Sequence, residues 1–438
     1  MGRFHEILTS PSLPLVVCTF LRTTNIVGII KTIGIYLEDI NISIGTTSTD
    51  IGIALGLLFA FSHFPGPIIA ALYRHHSTRR LLLISGTCLP PLGVALTSMA
   101  TSNAQITIYL SIAGLGNCIV MICCTMTLHH VAKENFNLIY SLGMTGYGAG
   151  MVLLPLLAEF LRQAYGWRGG LLIISALMAH IIPVAMAIKF HSDDSSKQRK
   201  GFRRVPSSLP GVNEGEECKS ITCQNTKGDN SDDIGVVRTI ANSLRQSDFY
   251  VDPVLNVIFG LGFALCMVWS GWHSFLVPHA LQRGISVRNT IIITFSAAIG
   301  NSLSRLAAGV LTNGLVKPVT LYLFATILNI AALLCDVYFV NYYVMLSTSC
   351  ISAMSIGVRS VLHQLVLRDR ASPEKFDVAY AVDQMFIGFG VFLGGYLCGM
   401  IADHFSSYDA TFKLLACLDV VVLLLIVVVR CRPKANPV

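Results

Sequence analysis

Four cationic side chains lie inside long apolar stretches of the chain, at Arg22, Lys31, Arg305 and Arg359. A charged side chain at the centre of a membrane-spanning helix costs about 2.5–3.5 kcal/mol on insertion scales, so each of the four needs a partner or a water-filled cavity. Arg22 and Lys31 are nine residues apart. On a straight helix they would face nearly opposite sides, and we expect only one of them at a given cavity.

Arg305 is the strongest candidate for binding an anion. Its own apolar stretch holds no acidic residue, and Asn301 precedes it by one helical turn on the same face. A guanidinium group without a protein partner can bind a carboxylate through two parallel hydrogen bonds. The alternative interpretation is an ion pair with a distant acid such as Asp252 or Glu159.

Arg359 has a candidate partner in Asp383, which lies at a similar depth in the next apolar stretch. The sequence therefore predicts an Arg359–Asp383 ion pair with a mainly structural role. His363 follows Arg359 by one helical turn. Its predicted position, on the inner side of the membrane midplane, makes it a candidate for contact with a substrate.

The motifs of common enzyme and cofactor sites are absent from the sequence, which has no phosphate-binding loop, no nucleophile elbow and no H-E-x-x-H. No CxxC pair has zinc spacing. We therefore expect no enzymatic activity, no cofactor and no metal. Glycines recur between 143 and 150 in an apolar stretch with no preceding strand, which excludes a nucleotide site. Gly143, Gly146 and Gly150 are predicted to let helices pack closely, and sliding of helices during transport is the functional alternative.

The elements that must position these residues are membrane-spanning helices. Charged residues make up 13% of the chain, against about 25% in soluble proteins. Apolar stretches of roughly 18–25 residues recur, the length a helix needs to cross about 30 Å of hydrocarbon. They cover residues 13–37, 51–73, 81–99, 106–128, 139–161, 168–189, 254–277, 289–311, 318–339, 343–367, 378–401 and 411–430.

A polar segment, 190–249, divides these stretches six and six. It is rich in Lys, Arg, Asp, Ser, Asn and Gly and cannot bury enough apolar surface to fold alone, so we predict a mostly disordered cytoplasmic linker. The predicted fold class is an all-α membrane protein with twelve transmembrane helices. An N-terminal six-helix half covers 1–189 and a C-terminal six-helix half covers 250–438.

The basic residues predict the orientation of the helices. Most of the 31 Lys and Arg residues fall in cytoplasmic segments when the N-terminus is placed in the cytoplasm, so both termini are predicted to be cytoplasmic. The same bias explains the net charge of +7 without a nucleic-acid partner. The stretch Phe136-Asn-Leu-Ile-Tyr140 is echoed by Phe376-Asp-Val-Ala-Tyr380. Such an echo favours two parallel repeats, which in secondary carriers hold the substrate between them.

Several further stretches carry a family resemblance. They are Lys31-Thr-Ile-Gly-Ile-Tyr-Leu-Glu-Asp39, Gly66-Pro-Ile68 with Arg80 and Gly86, Tyr165-Gly-Trp-Arg-Gly169, and Phe275-Leu-Val-Pro-His279 with Arg305-x-x-x-Gly309. In these stretches the chain resembles the monocarboxylate transporters of the major facilitator superfamily. The resemblance covers nearly all of the predicted membrane part and does not include the linker.

The resemblance implies the major facilitator fold and, in many members, proton-linked symport of lactate-like acids. Lys31 would be the family's helix-one lysine, Arg305 its substrate arginine, and His363 would lie near its selectivity position. The resemblance also implies a plasma-membrane location and allows a single-span accessory subunit. The family's proton-linked aspartate is Asn301 in this chain, and a neutral amide cannot carry a proton through a transport cycle. Any proton coupling would have to involve Lys31, His363 or another group.

The predicted function is therefore a secondary carrier in the lipid bilayer that moves a small organic anion, a lactate- or pyruvate-like monocarboxylate, by alternating access. The substrate-binding residues would be Lys31, Arg305, Asn301 and His363. One alternative is a proton-independent facilitative carrier of a zwitterion, such as an aromatic amino acid or a creatine-like solute. Another is a receptor or scaffold that keeps a carrier fold without transporting.

Overall fold

The computed structural model describes residues 12–46, 48–75, 77–132, 135–188, 190, 253–373 and 375–432. These residues form fourteen helices, with no strand among them. In chain order the helices are α1 (Leu13–Ile44), α2 (Ser48–Phe61), α3 (Gly66–Tyr73), α4 (Arg79–Ser98), α5 (Asn103–Ala132), α6 (Phe136–Met144), α7 (Gly146–Met178), α8 (Ile181–Met186), α9 (Pro253–Gln282), α10 (Val287–Thr312), α11 (Pro318–Tyr338), α12 (Tyr342–Arg370), α13 (Phe376–Phe405) and α14 (Tyr408–Cys431). The predicted linker at 190–249 lies outside the described residues, except for residue 190.

Eleven helical stretches among the described residues are long and apolar enough to cross a membrane. One of them, Phe136–Met186, has 51 residues and combines α6, α7 and α8. At about 1.5 Å per residue it is too long for one crossing. Gly166 interrupts α7 with a backbone φ of 67°, a conformation that glycine adopts without steric cost. The helices are therefore consistent with the twelve predicted crossings, six on each side of the predicted linker.

The second crossing is also broken, between α2 and α3. Pro65 and Pro67 flank the start of α3, and proline is tolerated in the first turn of a helix but not in its interior. Residues 62–65 form a turn in which the backbone N–H of Phe64 donates to the carbonyl oxygen of Ala60, at 2.9 Å. This turn carries His63.

The echo between the two halves has a structural counterpart. Phe136 stacks on Tyr140, with ring centroids 5.4 Å apart, and Phe376 stacks on Tyr380 in the same way, with centroids 5.8 Å apart. The two phenylalanine rings meet edge to face at 6.1 Å, where the halves join. The repeats predicted from these residues thus meet at their equivalent positions.

Glycines bring equivalent helices into backbone contact in both halves. A Cβ atom added at Gly150 of α7 would overlap the carbonyl oxygen of Thr24 on α1, and one added at Gly390 of α13 would overlap that of Phe263 on α9. Gly143 and Gly146 also lie directly against α1, next to Thr19 and Phe20. Helix pairs α1–α7 and α9–α13 are therefore tightly packed.

Large apolar side chains are exposed along the outer surface of the bundle, among them Ile108, Leu153, Phe160, Phe324 and Phe392. A soluble monomer rarely exposes so much apolar surface. Several charged side chains are buried within the apolar interior, among them Arg22, Arg305 and Arg359. An apolar outer surface with charged groups only inside the bundle is typical of a protein surrounded by lipid.

Candidate substrate-binding site

A central cavity lies between the two halves, and side chains from both halves line it. Clefts between domains are common sites for small-molecule binding. The lining contains two arginines, two histidines and several aromatic rings from both halves. It comprises Thr19, Arg22, Phe59, His63, Met121, Thr125, Tyr140, Met144, Tyr147, Leu265, Cys266, Trp269, Arg305, Ser360, His363, Gln364, Tyr380, Gln384, Ile387 and Val391.

Arg305 of α10 faces this cavity and is 1% exposed. Its Nε donates to Oδ1 of Asn301 at 2.8 Å, and Nδ2 of Asn301 donates to the carbonyl oxygen of Ala353 at 2.8 Å. The guanidinium group lies over the ring of Tyr147, with Cζ 4.4 Å from the centroid. Nη1 is buried without a hydrogen-bond partner among the described residues. Asn301 therefore orients Arg305 while leaving one of its terminal nitrogens available.

The alternative partners considered for Arg305 do not neutralise it within the described residues. Glu159 is bound by Arg162, whose Nε donates to it at 2.9 Å, and Asp252 lies outside the described residues. None of the residues that line the cavity is an acid. The positive charge of Arg305 therefore faces a cavity whose described lining carries no negative charge.

Arg22 of α1 faces the same cavity from the N-terminal half. It is 5% exposed, and its Nη1 donates to Oδ1 of Asn117 at 3.3 Å. It lies within electrostatic range of Arg305, and the two charges repel each other. The site thus holds two buried guanidinium groups, one from each half.

Lys31, the predicted helix-one cation, does not belong to the described lining of the cavity. It is half-buried on α1 and lies within electrostatic range of His273 on α9. The ring of His273 contacts Trp269, at 4.8 Å between centroids, and Trp269 does line the cavity. Of the two cations of α1, Arg22 is the one that lines the cavity.

The predicted Arg359–Asp383 ion pair is wrong. Arg359 is paired with Asp419 of α14, which also accepts a hydrogen bond from Asn329. The error was one of depth, because α12 continues to Arg370 and Arg359 consequently lies eleven residues from its inner end. Asp383 lies only seven residues into α13, whereas Asp419 lies twelve residues from the inner end of α14 and so matches Arg359.

Asp383 is instead bound by two residues that line the cavity. Nε2 of His363 lies 2.8 Å from its Oδ1, and Nε2 of Gln364 donates to its Oδ2 at 3.0 Å. His363 lies seven residues from the inner end of α12, which matches the depth of Asp383. His363, the predicted substrate contact, therefore lines the cavity, and its ring is hydrogen-bonded to the carboxylate of Asp383.

His63 and Gln384 are lining residues that the sequence interpretation missed. Nδ1 of His63 lies 3.1 Å from Oε1 of Gln384, and this hydrogen bond joins the two halves across the cavity. The Pro65–Pro67 break was visible in the sequence and could have indicated that the preceding turn opens toward the centre of the bundle. No comparable pattern distinguishes Gln384 from other polar residues of the same stretch.

The halves meet at the inner end of the bundle, where α1 begins. Arg368 lies over the ring of Phe136, with Cζ 4.5 Å from its centroid, and its Nη1 donates to Oδ1 of Asn137 at 3.4 Å. Nε2 of His130 lies 3.0 Å from Oδ2 of Asp377. These contacts, together with the Phe136–Phe376 contact, form what we call the inner seam. It lies one helical turn from Tyr140 and Tyr380, which line the cavity, on the side predicted to face the cytoplasm.

The part of the chain that the structure describes holds no group of three or more His, Cys, Asp or Glu side chains able to bind a metal ion. The arrangement consists of two buried cations, a histidine–carboxylate pair and aromatic walls. With its two cations and apolar walls, it can bind a small organic anion.

The major facilitator superfamily model matches residues 15–357 of the chain. Among proteins of similar sequence are monocarboxylate transporter 6 of Mus musculus and monocarboxylate transporter 2 of Mesocricetus auratus. The first is 22% identical over 87% of this chain and 78% of its own length. The second is 24% identical over 86% of this chain and 75% of its own length.

Solved transporter structures share the fold. The fucose:proton symporter FucP of E. coli superimposes with a TM-score of 0.68 at 13% identity, over 96% of this chain and 99% of that one. The human organic anion transporter MFSD10 gives a TM-score of 0.66 at 13% identity, over 95% and 99% of the two chains. Family and fold are those of transporters and not of enzymes. The chain belongs to the major facilitator superfamily, and it is a multi-pass membrane transporter related to the monocarboxylate transporters.

Proposed function

We propose that the chain is a secondary carrier that moves a small monocarboxylate, of the lactate or pyruvate type, across a membrane by alternating access. The observation that supports this most directly is the buried guanidinium of Arg305, which faces the cavity with Nη1 unpartnered among the described residues. A buried donor without a partner is unfavourable, and a carboxylate is the group that best satisfies a guanidinium. The substrate carboxylate would dock on Arg305.

Arg22 adds a second positive charge to the cavity. Two guanidinium groups that repel each other across a low-dielectric cavity favour an anion between them. The organic part of the substrate would then contact the apolar and aromatic lining, which includes Phe59, Leu265 and Trp269. An anion held by one arginine from each half would also contact both halves at the same time.

Alternating access requires the inner seam to open when the substrate is bound. Its polar contacts are long or partly exposed, since Arg368 and Asn137 are 3.4 Å apart and the His130 side chain is 52% exposed. Exposed ion pairs contribute about 0–1 kcal/mol each. The polar contacts of the inner seam therefore add little to the free energy needed to separate the halves at this end.

The plasma membrane is the proposed location, and a single-span accessory subunit is a proposed partner. Both follow from the resemblance to the monocarboxylate transporters. Lys31, half-buried on α1, would attract the anion toward the cavity from the outer side.

The test is uptake of labelled lactate and pyruvate into proteoliposomes that contain the purified chain. Arg305→Ala should reduce uptake by about 30-fold or more, because a charge-assisted hydrogen bond contributes about 2 kcal/mol and a guanidinium can make two. Arg305→Lys should restore part of the loss. The matched control is Arg162→Ala, which removes an arginine whose side chain is 37% exposed and paired with Glu159. Uptake that survives Arg305→Ala would refute this assignment.

A proton-independent carrier of a zwitterion is the second candidate. Asn301 favours it, because a neutral amide removes the proton-linked acid expected from the resemblance. The tyrosine rings of the lining, Tyr140, Tyr147 and Tyr380, could hold an ammonium group by cation–π contact. Uptake of labelled tryptophan or creatine at equal pH on both sides, in the absence of lactate uptake, would support this candidate. Specific binding without any exchange would support a non-transporting receptor.

A further inference from the structure

We propose that His363 and Asp383 form the proton-binding site of this carrier, between α12 and α13. The proposal rests on the proposed function, anion carriage, and adds the site that would couple it to protons. The residue that corresponds to the family's proton-linked acid is Asn301, which holds Arg305 and Ala353 and cannot titrate. Any coupling by this chain therefore needs another titratable group within reach of the cavity.

The geometry of the pair suits proton binding. Nε2 of His363 lies 2.8 Å from Oδ1 of Asp383, and both side chains are buried. Gln364 donates to Oδ2, so an ionised Asp383 has both oxygens satisfied. In the neutral tautomer whose Nε2–H donates to Oδ1, Nδ1 carries a lone pair that can accept a proton.

That Nδ1 atom is buried and has no hydrogen-bond partner among the described residues. His363 lines the cavity, so a proton that enters the cavity can reach it when the side chain is exposed by opening. Uptake of the proton at Nδ1 converts the imidazole into an imidazolium, and the charge is balanced by Asp383 at 2.8 Å. Release on the other side of the membrane reverses this step without any further reactant.

The surroundings leave Asp383 as the acid best placed for this role. Titratable groups within electrostatic range are Cys266 of α9, Tyr140 of α6, Tyr322 of α11 and Tyr380 of α13. Two further acids of this half are buried. Asp419 of α14 is bound by Arg359, and Asp336 of α11 is bound by His279, with neither residue of that pair in the cavity lining. Arg305 of α10 is oriented by Asn301.

The same turn of α13 also joins the halves. Gln384, next to Asp383, is hydrogen-bonded to His63 of the N-terminal half at 3.1 Å. The hydroxyl of Tyr380, one turn earlier, lies 3.1 Å from that of Thr125 on α5. A change of charge at His363–Asp383 thus occurs next to two hydrogen bonds that join the halves. Under this proposal, protonation would act on the contact between the halves through this turn of α13.

The backbone of α9 leaves room for the pair at Gly262. A Cβ atom added there would lie 2.7 Å from Nε2 of His363 and 3.0 Å from Oδ1 of Asp383. Gly260, on the same helix, has nothing within 4 Å of an added Cβ. Gly262→Ala and Gly260→Ala are therefore a matched pair of variants that differ in whether they press on the proton site.

The first experiment compares two modes of transport by the full chain in proteoliposomes, with labelled pyruvate as the probe. Counterflow at equal pH needs only binding and reorientation of the loaded carrier, whereas accumulation driven by a pH gradient needs proton coupling. Asp383→Asn and Gly262→Ala should lower the ratio of accumulation to counterflow at least tenfold. Gly260→Ala should leave both modes at the wild-type level. An unchanged ratio in Asp383→Asn would overturn the proposal.

Failure of the proposed function gives a different result. In that case Arg305→Ala should leave both counterflow and accumulation intact, or the wild type should show neither of them.

A second experiment needs no substrate. The histidine ring signals of the purified chain are followed by NMR between about pH 5 and 8, the range in which histidine commonly titrates. One titrating signal should vanish in His363→Gln and should move in Asp383→Asn but not in Gly260→Ala. If no titrating signal depends on both residues, the pair is not a proton site.

Discussion

Arg22 and Arg305 face one cavity from opposite halves of the transporter, close enough for their charges to repel each other. Each is oriented by an asparagine amide oxygen, at 3.3 Å from Asn117 and 2.8 Å from Asn301 respectively. An amide orients a guanidinium without neutralising it. The cavity therefore retains its positive potential, which an anion can offset.

Removal of the N-terminal cation should weaken anion binding. We expect Arg22→Gln to raise the KM for pyruvate about tenfold, since one charge-assisted contact contributes about 1.5–3 kcal/mol. Arg22→Lys should give a smaller increase, because it keeps the charge and loses the planar fork. Initial rates of uptake at varied pyruvate concentration measure both. Lys31→Gln is the comparison variant. A larger increase in KM in Lys31→Gln than in Arg22→Gln would contradict the assignment of Arg22, and not Lys31, to the cavity lining.

An acid introduced beside Arg305 should make transport sensitive to pH. In Asn301→Asp the new carboxylate would accept from Nε of Arg305, as the amide oxygen does now at 2.8 Å. While ionised it would compete with the substrate carboxylate, and once protonated it would not. Counterflow of pyruvate at equal pH on both sides should therefore be severalfold faster near pH 5.5 than near pH 7.5, relative to the wild type. Asn301→Ala should show no such added pH dependence.

The buried pair of Arg359 and Asp419 should be important for stability. Loss of one partner leaves an uncompensated buried charge, which costs about 3–5 kcal/mol. Arg359→Met and Asp419→Leu should each lower the melting temperature of the detergent-purified protein, and the double variant should recover much of the loss. Arg359→Met combined with Asp383→Asn should show no recovery. Recovery in that second combination would restore the pairing predicted from the sequence.

Close packing of α7 on α1 should not tolerate a side chain at Gly150. The added methyl of Gly150→Ala would overlap the carbonyl oxygen of Thr24, and overpacking costs about 1–3 kcal/mol. Gly52→Ala is the matched control, since nothing lies within 4 Å of its added Cβ. Thermal unfolding monitored by size-exclusion chromatography distinguishes the two variants. Equal melting temperatures would mean that the helices can separate at no cost.

Much of the architecture could be predicted from the sequence, because hydrocarbon thickness fixes the length of an apolar stretch and backbone groups in lipid must pair within the helix. The repeat was predicted from Phe136 and Phe376, which meet at the junction of the halves. Arg305 and His363 line the cavity and Asn301 is hydrogen-bonded to Arg305, while their role in substrate binding stays a prediction. For these three residues, the residue type and its depth in an apolar stretch were the features of the sequence that indicated a place in the interior.

The errors concern partners and not positions. The partner of Arg359 depended on where α12 ends. Because α12 ends at Arg370, Asp383 lies at the depth of His363 and not at that of Arg359. The choice between Arg22 and Lys31 depended on which side of α1 faces the cavity. Helix rotation and exact length are set by packing among many residues, and a single sequence does not reveal them.

The glycine contacts of Gly150 with Thr24 and of Gly390 with Phe263 have a mechanical consequence. Helices in backbone contact resist sliding past each other, so α1 with α7, and α9 with α13, form two rigid pairs. A relative movement of the two halves would then be accommodated at the boundary between them, where the cavity lies.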